Sequence, residues 1–175
     1  QHPTFAACLA FDRAACATVL ADQPGNLTAR FLRGLAAERD GDSSAAFADF
    51  DQVVVREPRH FGAQLWRYVT APSRTDAAEA LRAYLDGAGL GPWPSALGQH
   101  YLGEVEAPAL IDLAAAQPAT ARAEALCAAH YHAGRKALLA GDRAAARSQF
   151  AAALATGARH VFEYQAAERA LRELP

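Results

Sequence analysis

The sequence predicts an all-α chain: a right-handed solenoid of helical hairpins, ended by a C-terminal capping helix. Three observations carry that prediction. First, a segment returns one hundred residues further on. Phe31-Leu-Arg-Gly34-Leu-Ala-Ala37, followed by Gly41-Asp42, Ala45-Ala46 and Phe50, recurs as Tyr131-His-Ala-Gly134-Arg-Lys-Ala137, then Gly141-Asp142, Ala145-Ala146 and Phe150. The register runs on to Arg59-His60 and Arg159-His160. Second, alanine-rich helical periodicity covers the chain, and no segment alternates as a strand would. Third, glycine and proline punctuate the apolar runs at helix-length intervals.

Each element follows from its own signals. A short helix near residues 5–11 leads into one over 12–22, stopped by Gln23-Pro24-Gly25-Asn26. Asn26 can cap the next helix, 27–40, and Asp42 or Ser43 can cap 45–55. A helix over 59–69 ends at Pro72-Ser73, and one over 75–86 is broken by Gly87-Ala-Gly89-Leu-Gly91. Pro92 and Pro94 open 93–102, because proline suits a first helical turn, and Gly103 closes it. Pro108 opens 108–116. Helices over 119–140, 143–156 and 160–174 complete the chain. In the last helix Val161, Tyr164, Ala167, Leu171 and Leu174 form an apolar face. Glu163, Arg169 and Glu173 fall on polar faces, with Glu168 at the edge. Such a helix suits the open end of a solenoid.

At 175 residues the chain has the size of one domain able to bury a core. The reading is thus a single domain over 1–175, in five parts. Residues 1–25 are atypical, 27–58 and 119–157 are the matching repeats, 59–117 hold two irregular helical pairs, and 160–174 cap the array. A net charge of −2 gives no electrostatic case for nucleic acid or an anionic membrane. No apolar run has the length of a transmembrane helix. The absence of methionine, even at position 1, implies residues upstream of Gln1. A cleaved secretory signal or a trimmed chain both fit. Cys8 is rejected as a lipid anchor because Gln1-His2-Pro3-Thr4 is too polar to precede one, which leaves an anchor ahead of Gln1 open.

Glycine on a first helix, a Gly-Asp turn, Ala-x3-Phe on a second helix and then Pro58 follow the tetratricopeptide order. The spacing of the two copies approximates three units of ~34 residues. From about Leu27 to Leu174 the chain also resembles the NlpI-type lipoproteins, tetratricopeptide proteins of the bacterial envelope. Leu65-Trp66-Arg67-Tyr68, the stretch from Trp93 through His100-Tyr101-Leu102-Gly103, and the run from Tyr131 to Tyr164 follow that family's segment order. The resemblance implies a homodimerising adaptor at the periplasmic side of the outer membrane. Proteins of that type dock a tail-specific protease and present peptidoglycan hydrolases to it.

The expected binding groove is lined by the first helix of each pair. Its candidates are Phe31, Glu38 and Arg39 in one copy and Tyr131, Arg135 and Leu138 in the other, extended by Trp66, Tyr68, His100 and Tyr101. Arginine, tyrosine and tryptophan carry much of the energy at protein interfaces. The plainer reading of each aromatic is packing between helices. A lysine–asparagine carboxylate clamp is absent, since Lys136 and Asn26 are the only residues of those types, although Arg39 and Arg135 could hold a carboxylate in another geometry. Cys8 and Cys16 would lie about 12 Å apart on one continuous helix, too far to bond. Folded as a hairpin around Phe11-Asp12 they could form a disulfide; two buried thiols are the alternative. Cys127 reads as core.

His130 and His132 lack the spacing of helical metal ligands, and His60 and His160 read as helix caps. Asp49, Asp51 and Glu57 are spaced as surface carboxylates, and no hydrolase, phosphate-loop or metalloprotease motif occurs. Nothing calls for a catalytic role, a metal or another cofactor. The sequence therefore points to a non-catalytic protein-binding adaptor of the envelope. Its rivals are an assembly chaperone or secretion factor gripping an extended peptide, and a structural subunit of a larger complex.

Overall fold

Helices account for all regular structure among the described residues, 3–71 and 75–174 of a computed structural model. They are α1 (Pro3–Leu9), α2 (Arg13–Asp22), α3 (Leu27–Arg39), α4 (Ser43–Arg56), α5 (Phe61–Thr70) and α6 (Thr75–Gly87). There follow α7 (Pro92–Tyr101), α8 (Ala107–Ala115), α9 (Ala119–Leu139), α10 (Arg143–Ala155) and α11 (Phe162–Glu173). The all-α class is as predicted, and helices adjacent in the chain pack on one another from α1 to α6 and again from α7 to α11. The chain forms two compact units, residues 1–88 and 89–175. Residues 1, 2, 72–74 and 175 lie outside the described residues, so the expected stop at Pro72-Ser73 and part of the Gln1–Thr4 segment do as well.

In the first unit α1–α2, α3–α4 and α5–α6 form successive hairpins. The α3–α4 turn shows how its sequence dictates geometry. Gly41 adopts φ 82°, a conformation that costs glycine little. It lets the Asp42 N–H reach the Ala37 carbonyl at 2.9 Å while the Gly41 N–H reaches that of Glu38 at 3.0 Å. This pair of bonds satisfies carbonyls left open at the end of α3. The Asp42 carboxylate then accepts from the Ala45 N–H at 3.1 Å and starts α4. Arg13 bonds the same carboxylate at 2.7 Å, and these two bonds, Arg13 foremost, hold its pKa below the usual range.

The α1–α2 turn uses the same pattern, which the sequence hides. Phe11 occupies the glycine position with φ 62°, the Asp12 N–H reaches the Ala7 carbonyl at 3.1 Å, and the Asp12 side chain caps Ala15 at 2.9 Å. Residues 1–25 therefore contain another copy of the hairpin rather than an atypical lead-in. Cys8 and Cys16, both buried, are joined by a disulfide across it, with Cα atoms 4.6 Å apart. The hairpin supplies the approach that a continuous helix would forbid.

Asn26 caps α3 at the Ala29 N–H, and His60 Nδ1 caps α5 at the Ala63 N–H, as expected. His160 does not cap. Val161 precedes α11, and His160 Nε2 instead meets Glu124 at 2.8 Å. Asp49 is also corrected. Far from a surface carboxylate, it is buried and accepts from Arg33 at 2.8 and 2.6 Å, with Arg30 at 3.5 Å. Asp51 pairs with Arg67 at 2.7 Å.

In the second unit α7–α8 and α9–α10 pair, α11 packs on both α9 and α10, and α7 also touches α9. The α9–α10 turn reproduces α3–α4: Gly141 has φ 82°, the Asp142 N–H reaches the Ala137 carbonyl at 2.9 Å, and Asp142 caps Ala145 at 2.9 Å. Close packing explains the other invariant of the repeat. A Cβ on Gly34 would lie 2.8 Å from Phe50, and one on Gly134 would lie 2.8 Å from Phe150. Each glycine admits a buried ring of the second helix against the backbone of the first. On α11 the buried residues are Phe162, Ala166 and Ala167. Of the expected face only Ala167 is fully buried; Val161, Tyr164, Leu171 and Leu174 are half-buried.

Candidate functional site

Several of the aromatics expected to line a groove form the core instead. In the first unit Trp66 is buried and stacks on Phe50, with ring centres 6.2 Å apart. Phe31 sits between Phe50 and His60, at 5.5 and 4.7 Å, and would touch a Cβ on Gly62. Glu38 is buried and accepts from the Ser43 hydroxyl at 3.1 Å. In the second unit Tyr131 is buried against His132, Phe150 and Phe162. His100 and Tyr101 are buried as well. Glu38, Trp66, His100, Tyr101 and Tyr131 are thus corrected to interior residues. The physical reason is register: at these positions a first helix faces its own partner helix or a neighbouring pair, as Trp66 of α5 faces Phe50 of α4. Arg39 and Tyr68 in the first unit, and Arg135 and Leu138 in the second, remain half-buried.

The second unit nevertheless has an open groove, on the face formed by its first helices. Trp93 and Leu97 of α7 make one wall. Ala121, Ala125 and Ala128 of α9 make the floor with exposed Glu124 at its rim, and Val161 and Glu163 at the start of α11 make the other wall. Gln117 also lines the groove, and the volume is about 280 Å³. The floor is smooth for a reason visible in the spacing. Ala121, Ala125 and Ala128 fall at i, i+4 and i+7, one stripe of the helix, and alanine adds no bulk beyond Cβ. Pro92 and Pro94 set the start of α7 and with it the position of Trp93.

Behind this groove lies a buried polar network. The Tyr101 hydroxyl and His132 Nδ1 share a hydrogen bond of 2.8 Å, and the rings meet edge to face at 5.5 Å. His132 Nε2 lies 3.8 Å from a Glu163 carboxylate oxygen. Burial, reinforced by Arg135 and His100, pushes the His132 pKa down to about 3, so the ring is neutral at physiological pH. Burial also pushes Glu163 above the usual carboxylate range, and the charge of Glu124 adds to the effect. About a fifth of the Glu163 side chain remains exposed, on its groove side. His100 donates from Nδ1 to the Val105 carbonyl at 2.8 Å, and burial lowers its pKa too. Lys136 donates to the His100 carbonyl, tying α9 to the end of α7.

Glu163 is the residue that sequence reasoning misplaced: it faces the groove and His132, not solvent. Glu124, Ala121, Ala125 and Ala128 were missed because the repeat copy directs attention to residues 131–150. The first two turns of α9 have no counterpart in α3, which is 13 residues long against 21. The signal that could have found them is the small-residue stripe flanked by one carboxylate. Cys127, buried as expected, has its thiol pKa pushed up to about 11 by desolvation. His130 bonds Gln149 at 2.7 Å. No protein-family model and no curated protein matches this chain.

Proposed function

We propose that the chain is a protein-binding adaptor of the bacterial envelope, working as a scaffold that brings a protease and its protein substrate together. The observation that carries this reading is the groove of the second unit. An open apolar floor, one tryptophan at the wall and two carboxylates at the sides make a surface suited to a protein segment, because rigid aromatic area and fixed charge give both energy and register. The helical-hairpin repeat supports it further, since such arrays present extended first-helix faces to partners. The Cys8–Cys16 disulfide accords with an oxidising compartment such as the periplasm. The resemblance to the NlpI-type lipoproteins suggests the partners: a tail-specific protease, and a peptidoglycan hydrolase as its substrate.

Scaffolding needs no chemistry from the adaptor. Two proteins held on one surface meet at an effective concentration that short tethers raise to the millimolar range, and apparent affinity gains about 10²-fold or more. The test is a reconstituted digestion of a peptidoglycan hydrolase by a tail-specific protease, with and without the purified chain. The expected result is faster loss of the hydrolase at sub-saturating enzyme, with a bell-shaped dependence on adaptor concentration. Unchanged proteolysis at every adaptor concentration would refute the protease-adaptor role. Among the described residues no helix is long and apolar enough to cross a membrane.

A further inference from the structure

We propose that the groove of the second unit takes a lysine or arginine side chain of its protein partner, with Glu163 as the carboxylate that receives the charge. This inference rests on the protein-binding reading above and adds the chemistry of the contact. Glu163 lies at the wall of the groove with its carboxylate partly desolvated, and the basic group facing it from its own chain is His132. That imidazole is 3.8 Å away and neutral, so it supplies no compensating charge. Glu124, at the rim, adds a second negative charge and pairs with exposed His160. A carboxylate held partly out of water beside a neutral ring is costly, and an entering cation would offset that cost.

The walls select which kind of cation. A hydrated metal ion favours about six or more oxygen ligands, whereas this groove offers two carboxylates and the Gln117 carboxamide among alanine, leucine, valine and tryptophan. A lysine or arginine side chain matches both parts. Its methylene stem covers the alanine floor while its head reaches the carboxylates, and the Trp93 ring can stack on a guanidinium or ammonium group.

The experiment is a selection of peptides from a random display library on the full chain, followed by anisotropy titration of the enriched peptides. Selected peptides should share one lysine or arginine. Replacing it with norleucine, or introducing Glu163→Gln, should weaken binding about tenfold or more, as expected when one partner of a desolvated charge pair is lost. Glu124→Gln, at an exposed position that leaves folding intact, should weaken it by a smaller factor. Peptides that crosslink to a photoreactive residue at position 121 yet show no basic residue and no response to Glu163→Gln would overturn this inference and leave the protein-binding reading standing. A library that yields no binder would overturn both.

Discussion

Gly134 and Glu163 show two ways in which one side chain settles an outcome here. Alanine is ordinarily a better helix residue than glycine by ~1 kcal/mol. At Gly34 and Gly134 the new Cβ would press to 2.8 Å on Phe50 or Phe150, both buried in well-packed surroundings. Overpacking typically costs about 1–3 kcal/mol, so it outweighs the propensity gain. Gly34→Ala and Gly134→Ala are each expected to destabilise the fold in denaturant titrations, and Phe50→Leu or Phe150→Leu to relieve the matching glycine substitution in a double variant. Glu163 behaves differently. Its pKa is raised by burial above the ordinary 4.5, so the folded chain keeps that proton to higher pH than the unfolded chain. Stability is lost as pH climbs through the raised value, and the loss is complete above it. Glu163→Gln should therefore raise the Tm at neutral pH. The gain should fade as pH drops below 4.5, where the carboxyl is protonated in both states. An equal gain at every pH would mean that packing, not charge, is responsible.

The hairpin is the element in which sequence and structure agree most closely. Gly41-Asp42 and Gly141-Asp142 announced their turns because each residue has a separate physical duty, one adopting positive φ and the other capping the following helix. The α1–α2 hairpin escaped recognition because Phe11 fills the glycine position. A non-glycine residue in that conformation costs about 1–2 kcal/mol, and the turn's hydrogen bonds and the Cys8–Cys16 link hold it in place. Removing the link in a Cys8→Ala/Cys16→Ala chain should destabilise this hairpin by about 2–3 kcal/mol, the loop-closure value for so short a span. Hydrogen exchange should report the change in α1 and α2, at Val19 and Leu20 among others, and leave α9 and α10 unaffected. Exchange that rises evenly along the chain would show that the hairpin does not open by itself. His160 illustrates the opposite failure. Its repeat position matched that of His60, but the chain after Gly157 turns differently and Val161 takes the place before α11.

At the scale of the whole chain, the all-α class and most helix boundaries were legible because caps, glycines and prolines act locally. The groove of the second unit was not. Whether a first-helix aromatic meets solvent or a neighbouring helix depends on packing between hairpins, which no single periodic pattern records; Trp66 and Tyr131 went to the core on that account. The groove emerged from residues with little individual signal, the alanines of α9 and one carboxylate at the start of α11. The proposed function requires that partner proteins bind at this first-helix face of the second unit. Photoreactive residues placed one at a time at Ala121, on the groove, and at Ser148, exposed on α10, test it most directly in an envelope extract, with the adducts read by mass spectrometry. A partner bound in the groove gives a defined protein adduct from position 121, reduced by Glu163→Gln, and little from position 148. Adducts of equal yield from both positions, or a defined adduct from position 148 alone, would contradict it.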